Sequence, residues 1–234
     1  MIISIDTIGM YGGEYYMARN KYPEETVNLI LEQSLKLFVE KGYDNTSIQD
    51  IINNLGGLSK GAIYHHFKSK EEIFEGVCNK IAKENCVYYD KIRDDPSING
   101  YDKLKIVFQS AYSNPNSRVL MAMTTKIMRD PKFLMNQISE MYDLVAPNYI
   151  KPIIEQGIKD GSIKTDCPKE LAEVIITLIN VWINPSIAKT KPAEMERKLE
   201  FFHTILLGLG IDILDQEIIN QYIVYCEDYY SAKI

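Results

Sequence analysis

Between Ser59 and Lys70 the chain reads SKGAIYHHFKSK, a run of hydroxyls, lysines, histidines and one tyrosine with no carboxylate before Glu71. Groups of this kind donate hydrogen bonds and carry positive charge, so their natural counterpart is an anion. His65 and His66 do not make a chelating pair, because neighbours on a helix project about 100° apart. Placed on a helical wheel, Ile63 and Phe67 define one side. Gly61, Ala62 and His65 lie roughly opposite, bordered by Tyr64 and His66. An exposed glycine in a helix costs about 1 kcal/mol relative to alanine, so Gly61 calls for a reason outside the helix itself. Close approach of another surface supplies one. Lys60, Lys68 and Lys70 around a face of small residues and aromatic donors suit phosphates, with few groups committed to any single base pair.

The elements that must hold this segment are legible from spacing. From Pro23 to Lys41 the residues Val27, Ile30, Leu31, Leu35, Leu37 and Phe38 recur at helical intervals, with Pro23 in the first turn and Gly42 at the end. Thr46 followed by Gln49 reads as the capping box of a second helix, stopped by Gly56 and Gly57. Ser59 caps a very short third helix, and Leu58 before the cap can staple onto Ile63. Ser69 with Glu72 repeats the capping box and opens a long fourth helix through Ile73, Val77 and Ile81. In a helix-turn-helix the second helix of the motif enters the major groove and its N-terminal residues meet base edges. Here those residues are Ser59, Lys60, Gly61 and Ala62, and the Ala62 methyl is placed to meet a thymine methyl. The helix starts at Thr46 and Ser69 aim free N–H groups outward, where phosphates can lie.

After a break at Asp94–Gly100 the remainder reads as further helices. They cover about 102–113, 117–129, 132–159 with proline breaks at Pro147 and Pro152, 166–182, 192–214 and 216–230. The fold class is all-α: a three-helix helix-turn-helix domain over 22–69, a larger helical domain for effector binding and dimerisation over 70–234, and an N-terminal tail over 1–21. That tail has no helical period, and Met17 is the expected start of translation. The segment ELAEVIITLINVWI and the helix around Phe201, Phe202 and Ile205 are apolar on nearly every side. Each therefore needs cover on more than one face, which predicts a homodimer with Ile175, Ile179, Phe202 and Leu206 at a four-helix interface. Met121, Met123, Met128, Met135 and Met141 cluster near Phe133 and Tyr142. Since methionine fills irregular apolar space, Met121, Met128, Tyr142 and Trp182 are the expected lining of a pocket for a small, hydrophobic effector.

The 234 residues carry a net charge of −6, with 46% hydrophobic and 25% charged residues, a composition that belongs to a globular chain. Overall charge does not decide a local binding patch. Four cysteines without C-x-x-C spacing fit a reducing compartment, and the absence of a basic, apolar leader or a membrane-length apolar run points to the cytoplasm. The three histidines, two of them adjacent, belong to no nucleophile elbow, phosphate loop or metal spacing, which argues against an enzyme, a cofactor or a metal. The remaining alternative is an all-helical ligand-binding or signalling module that does not touch DNA. It would need an acidic or apolar outward face on the third helix, and that face is small and flanked by base.

The stretch GYDNTSIQDIINNLGGLSKGAIYHHFKSKEEIF resembles the helix-turn-helix signature of the TetR family of bacterial transcriptional regulators, over about Pro23 to Val77. Gly42-Tyr43, Thr46-Ser47, Ser59-Lys60-Gly61, Tyr64, His66-Phe67 and Lys70-Glu71 all stand at the family's relative places. The resemblance implies a homodimeric repressor on a palindromic double-stranded DNA operator, released by a small inducer bound among the C-terminal helices. It further implies that Ser47, Tyr64, His65 and Lys70 contact phosphates and that Lys60 and Ala62 sit near bases. The turn LGGLS is one residue longer than the family's usual one, at the point that sets the angle between the second and third helices.

Overall fold

The computed structural model describes residues 23–114, 119, 131–188 and 190–231. The expected tail and, except for residue 119, the helix expected over 117–129, with Met121, Met123 and Met128, lie outside the described residues. Every regular element among the described residues is helical. α1 (Pro23–Lys41), α2 (Ile48–Asn54), α3 (Lys60–His66) and α4 (Lys70–Asp94) are followed by α5 (Gly100–Ser113) and α6 (Pro131–Glu140). A π-helix (Met141–Ile150) runs directly into α7 (Lys151–Asp160), and α8 (Pro168–Thr177) into a second π-helix (Leu178–Trp182). α9 (Pro185–Ala188), α10 (Pro192–Gly208) and α11 (Gln216–Ser231) complete the order.

Two apolar cores organise these helices. The N-terminal core joins Ile30, Leu31, Leu37 and Phe38 of α1 to Ile51 of α2, Ile63 of α3, and Ile73, Phe74 and Val77 of α4. Phe38, Tyr43 and Phe74 form its aromatic centre, with ring centroids 4.8–5.6 Å apart. Phe133 of α6 reaches into the same core, its ring 5.9 Å from Phe74. The C-terminal core gathers α5, the first π-helix, α7, α8, α10 and α11 around Phe108, Phe202 and Tyr222. α4, at 25 residues and so about 37 Å long, contributes Phe74 to one end and Tyr89 and Ile92 to the other.

Three departures from the sequence reading have physical causes. Pro147 and Pro152 do not break the helical path. Pro147 lies inside the first π-helix and Pro152 in the first turn of α7. A proline ring clashes with the carbonyl four residues back, and the wider π turn removes that carbonyl from its usual place. α10 stops at Gly208 instead of continuing to Leu214. Gly210 turns left-handed (φ 78), with its N–H bonded to Leu207 O (3.0 Å) and the Ile211 N–H to Leu206 O (2.8 Å), the paired bonds of a Schellman stop. The segment beyond then buries Ile211, Ile213 and Leu214 completely. Finally α8 begins at Pro168, with Cys167 as an N-cap that makes no side-chain bond, and not at residue 166; the fixed φ of proline suits the first helical position.

α5 and α7 cross with backbone against backbone. The crossing is closed by buried Lys103, whose ammonium bonds Arg93 O and Gln156 Oε1 at 2.6 Å each. A Cβ at Gly100 would sit 2.3 Å from Gly157 N and 2.6 Å from Ile153 O. These are backbone atoms that cannot swing aside. Gly100→Ala therefore lowers the unfolding free energy by about 2–3 kcal/mol, read as a reduced urea midpoint with an unchanged slope.

Candidate nucleic-acid interface

The helix-turn-helix is assembled from capping chemistry. Ser47, one residue later than the expected Thr46, caps α2: its Oγ accepts from Asp50 N (3.1 Å) and the Asp50 carboxylate accepts from Ser47 N (2.8 Å). The box is therefore Ser47–Asp50, and Gln49 instead donates to Asn53 Oδ1 at 2.9 Å. Asp50 also accepts from Lys41 Nζ at 3.0 Å. The hydrogen bonds from Ser47, first from its hydroxyl and then from its backbone, and the one from Lys41 hold the Asp50 carboxyl well below the usual carboxylate range. Thr46 is a correction on two counts. It is 1% exposed, and its hydroxyl donates inward to Leu37 O (3.3 Å) and Gly42 O (2.8 Å). A side chain spent on closing the α1–α2 turn offers no donor to a phosphate.

The longer turn before α3 is taken up by two glycines in the positive-φ region, Gly56 (φ 59) and Gly57 (φ 108), where L side chains are strained. Leu55 ahead of them is buried and Leu58 packs on the N-terminal core. Ser59 then caps α3 through Ala62 N (3.2 Å). Ile63 anchors the helix at 0% exposure. Lys60, Gly61, Tyr64 and His65 are exposed and Ala62 is half-buried. A Cβ added at Gly61 would meet Ser59 Oγ alone, at 3.8 Å. The face over this glycine is open to an outside surface. Lys60 Nζ stands 5.7 Å from the centre of the Tyr64 ring, so cation and aromatic donor occupy one patch. His66 turns inward, with Nε2 enclosed and unpaired. Its burial, and then the neighbouring His65, push its pKa down and favour the neutral ring.

At the start of α4, Ser69 Oγ accepts from Glu72 N (3.2 Å), while the Glu72 carboxylate reaches one residue further out, to Lys68 N (2.6 Å). Lys70 does not extend outward with Lys60. Its ammonium donates to Tyr43 O and Thr46 O, both at 2.9 Å, and lies 4.2 Å from the centre of the Tyr43 ring. The Tyr43 hydroxyl donates to Glu71 Oε1 at 3.0 Å. Burial and then this carboxylate push the phenol well above its ordinary range, so it remains a donor. Sequence reasoning placed Tyr43 in the motif without its contacts to Lys70 and Glu71, and missed Asp50 as the partner of the α2 cap. A carboxylate three residues after Ser47 was the available signal for the latter.

Met121 and Met128 lie outside the described residues. Tyr142 is exposed with its hydroxyl 2.8 Å from Thr177 Oγ1, and Trp182 packs against Phe201 (6.0 Å) beside Lys198. Neither reaches the apolar cavity beside Phe108. That cavity, of about 20 Å³, is lined instead by Tyr89, Leu104, Phe108, Ile150, Ile176 and Asn180, among others, with Ile175 and Ile179. Ile175, Phe202 and Leu206 are buried in the C-terminal core and Ile179 packs partly buried against it. Ile175, Phe202 and Leu206 are thus enclosed by their own chain, whereas Ile179 keeps part of its surface. The exposed apolar residues of these helices are Val174, Phe201, Leu207 and Leu209.

Thr46→Val separates a structural from a contacting role: it removes the hydroxyl bonded to Leu37 O and Gly42 O and costs about 1–2 kcal/mol in thermal unfolding. DNA affinity measured well below the melting temperature should change far less than for a substitution at Lys60.

Comparison with known proteins gives the same architecture. The profile of bacterial regulatory proteins of the tetR family matches residues 30–77, and that of the tetracyclin repressor-like C-terminal domain matches residues 114–205. An uncharacterized HTH-type transcriptional regulator of Bacillus subtilis, YhgD, is 30% identical over 154 residues, covering 64% of this chain and 78% of the relative. The HTH-type transcriptional repressor KstR2 of Mycolicibacterium smegmatis is 27% identical over 188 residues, covering 76% and 87%. A crystal structure of a transcriptional regulator from Cytophaga hutchinsonii shares the fold at a TM-score of 0.58 and 19% identity, covering 89% of this chain and 96% of that one. The outward α3 on its capped, aromatic-cored framework lies within the matched residues 30–77, and the chain belongs to the TetR family of bacterial transcriptional regulators, which bind DNA through this helix-turn-helix.

Proposed function

We propose that the protein acts as a homodimeric repressor that occupies a palindromic operator and leaves it when a small apolar effector binds among the C-terminal helices. The observation that carries the operator reading is the outward face of α3. Lys60, Gly61, Tyr64 and His65 are exposed together on a helix whose opposite side is anchored by Ile63. In this reading Lys60 and Ala62 approach base edges, while Ser59, Tyr64 and His65 donate to phosphates beside the free N–H groups at the Ser47, Ser59 and Ser69 caps. Binding without catalysis, in the cytoplasm where the operator is, completes the role.

Two copies are needed to present two recognition helices one DNA turn, about 34 Å, apart or a multiple of it. Phe201, 58% exposed, and Val174, 42% exposed, with the neighbouring Trp182, support a dimer face on the outer side of α8 and α10. The cavity supports an uncharged effector. Its wall is aliphatic and aromatic, and its polar members are Tyr89, paired with Ser110 Oγ at 3.2 Å, and Asn180, which donates to Ile176 O at 2.9 Å. At about 20 Å³ it holds roughly one water-sized body, so a larger effector must part the helices around it. Tyr89 is a residue of α4, whose other end begins the recognition unit, and displacement of that helix changes half-site spacing.

Capture of genomic fragments by the purified protein, followed by mobility shift on the enriched duplex, tests the operator reading; weak, sequence-blind association overturns it. Lys60→Glu should lower affinity for that duplex by about 100-fold or more with the helical circular dichroism unchanged. Ile176→Phe, which fills the cavity, should leave duplex binding intact and remove the response to apolar compounds that release the unaltered protein.

A further inference from the structure

Lys70 opens α4 in a first turn that also contains Glu71 and Glu72. A cation is unfavourable at this end of a helix, where the macrodipole is positive, so its presence asks for a compensating contact. That contact lies across the motif. Two of the three ammonium N–H groups are taken by the carbonyls of Tyr43 and Thr46, at 2.9 Å each. The charge also rests 4.2 Å from the centre of the Tyr43 ring. The next residue, Glu71, accepts from the Tyr43 hydroxyl at 3.0 Å. One turn of α4 therefore grips Tyr43 at its carbonyl, its ring and its hydroxyl. Tyr43 and Thr46 bound the turn that delivers the chain to the Ser47 cap of α2, and Tyr43 O already accepts from Thr46 N at 3.2 Å.

We propose that Lys70 is a positioning residue for DNA recognition: it locks the α1–α2 turn, and with it the start of α2, onto the first turn of α4. Its role is to fix the angle at which α2 and α3 meet the duplex, and its charge is spent on main-chain carbonyls instead of phosphate. The proposal rests on the DNA-binding reading for its consequence, but its structural half does not depend on DNA.

The two roles differ in salt dependence. Each phosphate neutralised contributes about −0.9 to the slope of log K against log salt concentration. Lys70→Met keeps the aliphatic stem and removes the ammonium, and Lys70→Gln retains one donor for one carbonyl. On the duplex enriched by genomic capture, Lys70→Met should weaken binding about tenfold with the salt slope unchanged, and Lys70→Gln should fall between it and the unaltered protein. In the free protein, hydrogen exchange of the α2 amides should quicken in Lys70→Met while those in the middle of α4 keep their protection. A slope reduced by about 0.9 per protomer, or α2 exchange equal to that of the unaltered protein, overturns the proposal. The exchange measurement needs no DNA, so failure of the unaltered protein to bind any duplex would count against the operator reading and leave this test standing.

Discussion

A helix of seven residues, as α3 is, cannot hold itself together in water, because the cost of its first turn is not recovered by so few hydrogen bonds. Its existence depends on one burial, that of Ile63 in the core formed by α1, α2 and α4. Once that side chain is anchored, the helical period decides which residues face out, and the exposed set is Lys60, Gly61, Tyr64 and His65. The DNA-facing chemistry thus follows from a packing constraint on the opposite side of the same helix. Ser59 and Ser69 close the segment at both ends, so its length is set by caps as well as by packing.

Among the described residues, α4 and α6 both tie the N-terminal core to the rest of the protein. α4 contributes Phe74 at one end and Tyr89 at the other, and α6 inserts Phe133 beside Phe74. α6 continues without interruption through the π-helix, whose last residue, Ile150, lines the apolar cavity. Both paths therefore run from the cavity wall to the aromatic cluster around Tyr43. Close-packed interiors pass a displacement along such paths because they have little free volume in which to absorb it.

Much of the helical framework was legible in the chain. Pro23, Ser59 and Ser69 mark helix starts through well-defined capping or N-terminal chemistry, and Ile63 reads as an anchor from its period against Phe67. The errors have one origin, which is that local signals compete. Thr46 and Ser47 both suit an N-cap, and the choice fell to Ser47 because Thr46 found two buried carbonyls. The apolar helices after Pro168 and Pro192 advertised more hydrophobic surface than one face can cover. Which side chains turn inward depends on the neighbours they meet. Phe202 went to the core and Phe201 to the surface, a distinction that adjacent positions of equal hydropathy do not carry.

By itself, the order of residues determined that this is an all-helical chain, that a short capped helix follows a glycine turn near residue 57, and that its outer face is small and cationic. These follow from properties that act over three or four positions: caps, propensities and period. Only the tertiary structure decided that Lys70 turns inward to main-chain carbonyls 24 and 27 residues away, that Pro147 is carried inside a π-helix, and that the cavity lies between α4, α5 and α8. Contacts between distant segments are settled by the competition of many side chains for the same space, and no local window contains that competition.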